Sequence, residues 1–94
     1  MDKQEAKQGI VKHLNDFLGD SERALTTQNF AQLRPVVDAL FPAASTLGVD
    51  VRDLQSDYQI ELIQSGGQPS EGRLGYIKGH LRGLLAKVEE YNPE

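Results

Sequence analysis

Few residues in this chain have types and spacing that could do chemistry. His13 and His80 are its only histidines, and Asp16 follows His13 by about one helical turn, which is the start of a histidine–carboxylate relay. A relay also needs a positioned nucleophile and oxyanion donors, which this spacing alone does not supply. Both histidines read as surface residues, and no catalytic residue is expected. Asp50, Asp53, Asp57 and Glu61 recur at steps of three and four, which on a helix lines their carboxylates along one flank. No histidine stands at ligand spacing and no Glu-x-x-His is present, so the di-metal bundle pattern is missing and no metal or cofactor is expected. Ser65-Gly66-Gly67 is glycine-rich, yet it lacks the Gly-Lys-Ser/Thr ending of a phosphate loop and no strand precedes it. It reads as a turn.

The remaining group is basic. Residues 70–87 carry Arg73, Lys78, Arg82, Lys87 and His80 against one acid, Glu71, whereas residues 16–61 hold eight acids against Arg23, Arg34 and Arg52. The chain is electrostatically polarised. The same basic segment contains Gly72, Gly75, Gly79 and Gly83, and each glycine inside a helix costs about 1 kcal/mol relative to alanine. Projected around a helix, the glycines cluster in one direction, roughly 180° from the Leu74/Leu81/Val88 seam. A bare side of this kind admits the close approach of another backbone. The functional reading is a groove for a partner helix or for a second copy of the chain, flanked by Tyr76, Lys78 and Arg82. In the structural reading this helix is central, and the glycines make room for the first or second helix of its own bundle. A nucleic-acid or nucleotide-phosphate site built from Arg73, Lys78, His80, Arg82 and Lys87 is the alternative. Pairing of the acidic flank with the basic helix, within the chain or head-to-tail between chains, is a further expectation.

These residues need elements to place them. Ile10, Val11, Leu14, Phe17, Leu18 and Leu25 repeat as a helix stripe over residues 3–26. Asn29 followed by Gln32 reads as a capping box opening a second helix, whose stripe is Phe30, Leu33, Val37, Leu40, Ala44 and Leu47 and whose stop is Gly48. Pro35 and Pro42 lie seven apart and share the side opposite that stripe, where each lost hydrogen bond falls to water. One curved helix is therefore as good a solution as two short ones. Residues 49–64 are ambiguous: Tyr58, Ile60 and Leu62 alternate like a strand, whereas Val51, Leu54, Tyr58 and Leu62 repeat like a helix. Asp50 as N-cap with Asp53 in the first turn decides for a third helix. After the Ser65–Pro69 breaker, Ser70-Glu71 opens a last helix running to about Tyr91, ended by Asn92-Pro93-Glu94.

The expected architecture is a single all-α domain over residues 1–94, an antiparallel bundle of four helices, or of five or six if the Pro35/Pro42 segment splits. A death-domain-like six-helix arrangement also fits the length. The chain has no cysteine, which removes disulfide scaffolds, zinc fingers, thiol catalysis and iron–sulfur centres together. Its 14 acids against 10 Lys+Arg leave a net charge of −4, which disfavours non-specific nucleic-acid binding by the whole chain. No signal-peptide core and no apolar run of membrane-span length is present, so a cytoplasmic location is expected. A domain this small buries only about 60–65% of its unfolded surface, which favours help from a partner. The functional expectation is a protein–protein interaction or oligomerisation module without catalytic activity, docking through Gly72, Gly75, Gly79, Gly83, Tyr76, Lys78 and Arg82.

Overall fold

The computed structural model describes residues 2–92. Pro93 and Glu94, read above as part of the stop after the last helix, lie outside the described residues. Four helices, α1 (Lys3–Leu18), α2 (Phe30–Leu47), α3 (Arg52–Gln64) and α4 (Glu71–Glu90), form an all-α bundle with no strand among the described residues.

Local chemistry sets the helix ends. The Asp2 side chain accepts from the Gln4 backbone N–H at 3.0 Å and caps α1. The apolar stripe continues to Leu25, but the helix stops at Leu18. Ser21 Oγ donates to the Asp16 carbonyl and accepts from the Arg23 N–H, which turns the chain. Leu25 then reaches the core from the loop, 1% exposed, with its N–H donating to the Phe17 carbonyl. The Asn29/Gln32 capping box does not form: Asn29 is the cap residue, but its backbone lies in the right-handed region and not the extended one, and its side chain makes no cap bond to α2. A reciprocal pair three residues earlier replaces it: Thr26 Oγ1 accepts from the Asn29 N–H at 3.2 Å and Asn29 Oδ1 accepts from the Thr26 N–H at 2.8 Å.

Pro35 and Pro42 both lie inside one continuous α2, exposed on its solvent side. The split into shorter helices does not occur. Gly48 closes α2 with φ +119°, a conformation that L side chains rarely adopt, and a Cβ there would sit 2.9 Å from the Tyr91 hydroxyl oxygen. Asp50 stands one residue outside the N-cap position expected for it: the cap residue of α3 is Val51, and Asp50 Oδ1 accepts from the Arg52 N–H and Nε. Those bonds hold the Asp50 carboxyl below the usual carboxylate range. Ser70 caps α4 as expected, accepting from the Arg73 N–H.

α4 packs between α1 and α3, and α1 also packs on α2. The shared core is apolar, with Leu14, Phe17, Val37, Phe41, Ala44, Ile77, Leu81, Leu84 and Val88 fully buried. Polar contacts fix the register at its edges. Lys7 Nζ donates to the Glu89 carbonyl at 3.1 Å and the Tyr91 carbonyl at 2.6 Å, a cation closing the free carbonyls at the C-terminus of α4. Lys7→Met is therefore expected to lower stability by about 1 kcal/mol, and chemical denaturation measures it. Between α2 and α3, the Tyr58 hydroxyl donates to Asp38 Oδ1 at 2.6 Å while its ring stacks on Phe41 with centroids 5.0 Å apart.

Burial and the hydrogen bond to Asp38 push the Tyr58 phenol strongly upward. The folded state thus holds this proton more tightly than the unfolded chain does. Its contribution is full below the ordinary tyrosine range and is lost as pH rises above about 10, where the unfolded chain ionises. Tyr58→Phe is expected to cost about 1 kcal/mol at neutral pH and to flatten the fall in stability above about pH 10. Melting curves of both proteins between neutral and alkaline pH test this, and a parallel fall in the two would count against it.

Candidate functional site

Three of the glycines of α4 face open space. A Cβ built on Gly72, Gly75 or Gly79 meets no atom outside the local helix within 4 Å, and all three residues are exposed. The structural reading, in which these glycines admit the first or second helix, is thereby corrected. Gly83 differs. Its Cβ would lie 3.1 Å from Leu54 Cδ2, so this glycine seats α3 against α4 and does not belong to the open face. The crest of α4 is therefore bare over about two turns, with Tyr76, 65% exposed, beside it.

The charges divide along the same line. On the α3 side of α4, Arg73 Nη1 pairs with Glu61 at 3.0 Å and also donates to the Gln64 side chain, while Lys87 Nζ donates to the Asp50 carbonyl at 3.2 Å. The acidic flank thus pairs with the basic helix within the chain at one end, Glu61 with Arg73, and at the other end Lys87 meets a backbone carbonyl and not a carboxylate. On the opposite flank, Lys78 and Arg82 form no ion pair among the described residues, and neither do Asp53 and Asp57 on α3. Next to Lys78 a groove of about 350 Å³ opens between the α1–α2 loop and α4, lined by Leu25, Thr26, Thr27, Glu71, Leu74 and Gly75. Gly75 leaves its part of the groove wall bare, and a Cβ there would meet no atom outside the local helix within 4 Å.

The histidine relay does not assemble. Asp16 pairs with Arg23 at 3.6 Å, whose guanidinium lies 5.4 Å from the Phe17 ring centroid, while His13 stacks on Phe17. Asp50, Asp53, Asp57 and Glu61 do not converge either, and no cluster of metal-ligating side chains occurs among the described residues. Ser65–Gly67 forms a turn with φ +65° and +83° at the two glycines, and its N–H groups are bonded back to α3.

Residue typing missed two exposed apolar side chains, Ile60 at 47% and Ile63 at 78% exposure on the outer face of α3. A signal for them was present: Ile60 is what made residues 58–62 alternate like a strand, since it is an apolar residue placed off the helical stripe. Also missed was the rim of the groove at Thr26 and Thr27, which comes from a loop that no periodicity places. No family model, curated protein or solved structure matches this chain. No helix among the described residues is long and apolar enough to cross a membrane.

Proposed function

We propose that this chain is a cytoplasmic protein-interaction module without catalytic activity that docks through the exposed face of α4. The observation that carries the reading is the open space over Gly72, Gly75 and Gly79. A helix that tolerates bare glycines at about 1 kcal/mol each, with no intrachain neighbour using the room, is explained by a neighbour outside the chain. Tyr76 contributes a large amphipathic side chain beside the crest, the residue type enriched at binding hot spots. Lys78 and Arg82 supply unpaired charge that selects an acidic partner. The nucleic-acid alternative is weaker, because Arg73 and Lys87 are engaged by α3, leaving only part of the cationic set for phosphate.

The reading is tested by placing the photo-crosslinker p-benzoylphenylalanine at position 76, where it replaces the exposed aromatic Tyr76 beside the crest and leaves the glycines bare, and separately at the exposed control position 43 on α2, in the native cells. A discrete protein adduct from position 76 and none from position 43 is expected. If position 76 yields only what position 43 yields, the reading fails. An adduct that nuclease removes would transfer the site to the phosphate-binding alternative.

A further inference from the structure

The two unpartnered features of this surface fit each other, and we infer that a second copy of the chain is the occupant of the α4 face. This inference rests on the reading of α4 as a docking surface and names its partner. The register of α3 against α4 is set by Arg73 opposite Gln64, Gly83 opposite Leu54 and Lys87 opposite Asp50, an antiparallel pairing. Continued along the contact, it brings Asp57 and Ile60 level with residues 77–80 of α4 and Asp53 level with residue 84. At about 100° per residue, Ile60, Asp57 and Asp53 share the outer side of α3 and look out beside the glycine crest, while Lys78 and Arg82 occupy the far flank of α4.

A two-fold axis lying in the surface can relate two copies in two simple ways. With the axis across α4, the Lys78/Arg82 flanks of the two copies meet, and like charges repel. With the axis along α4, the two crests lie parallel, and α3 of each copy falls over the Lys78/Arg82 flank of the other. That second arrangement puts the free aspartates Asp53 and Asp57 over the free cations at matching heights. It also seats the exposed Ile60 over the groove beside Gly75, whose apolar wall is Leu25 and Leu74. Every contact occurs twice, so the assembly closes at a dimer and does not extend into a filament. The bare crest lets the two α4 backbones come near enough for the flanks to reach.

The test is a charge swap in the full chain. Lys78→Glu with Arg82→Glu gives one variant, and Asp53→Lys with Asp57→Lys gives the other. All four positions are free of ion pairs among the described residues, and circular dichroism checks that both variants remain helical. By light scattering over a roughly hundredfold concentration range, the wild type is expected to plateau at twice the monomer mass, and more weakly at high salt. Each variant alone is expected to dissociate at least about tenfold more readily. An equimolar mixture of the two should recover the dimer, because both sets of pairs are attractive in the mixed species. A mixture that stays monomeric, a wild type that stays monomeric, or growth beyond the dimer overturns the inference. The crosslink at position 76 separates the two claims: an adduct with a different protein sinks the dimer and leaves the docking reading standing, whereas no adduct sinks both.

Discussion

Replacing Gly75 and Gly79 together with alanine is expected to raise stability by about 2 kcal/mol and the melting temperature by roughly 8–16 °C. Both positions are interior to α4, exposed, and free of any atom outside the local helix within 4 Å of an added Cβ. Their φ angles are not in the positive range, which among the described residues is confined to Gly48, Gly66 and Gly67. Nothing on the folded side therefore opposes the methyl groups, and the unfolded chain loses conformational freedom it would otherwise regain. Thermal denaturation at low protein concentration measures the gain. A loss of stability would mean that the crest is covered within the monomer.

Run on the same variant at high concentration, light scattering separates the cost of these glycines from their use. The added methyl groups stand on the crest, and the one at position 75 narrows the groove assigned to Ile60. Weaker self-association, by on the order of tenfold, is expected alongside the stability gain. A domain that trades stability for an open face is ordinary where a surface must bind. A stabilised variant that dimerises as well as the wild type would remove the crest from the contact.

The largest loss is expected from Phe41→Ala, at about 3–5 kcal/mol. Phe41 is fully buried and stacks on Tyr58, so truncation opens a cavity where α2 meets α3 and removes the wall against which Tyr58 is held. Against a total of about 5–15 kcal/mol for a domain of ordinary stability, the variant would lose roughly a fifth of its stability or more. Urea denaturation gives the difference directly. Ile63→Ala is the control: its side chain is apolar but 78% exposed, and a change within about 0.5 kcal/mol is expected. Comparable costs at the two positions would contradict the assignment of core and surface on α2 and α3.

The all-α class, the seams of α1, α2 and α4 and the Ser70 cap were legible in the order of residues, whereas one continuous α2 and a split one stood as equal solutions until the structure showed Pro35 and Pro42 inside a single helix. Each legible feature depends on periodicity or on a side chain bonding its own neighbours, and such interactions are complete within a few residues. Helix starts that depend on how a loop folds were not. Thr26 and Asn29 bond each other in the loop that leads into α2 in place of a cap on its first turn, and Val51 takes the cap position expected for Asp50 with its side chain buried. The glycine spacing of α4 was equally plain, but spacing cannot say which neighbour a bare face meets. Gly83 and Gly79 are one turn apart with the same chemistry, and only the position of Leu54 makes one a packing contact and leaves the other open. The exposure of Ile60 and Ile63 and the free charges of Lys78, Arg82, Asp53 and Asp57 were likewise decided by packing. Burial and pairing are relations between segments distant in sequence, and they exist only once α3 and α4 have found their register.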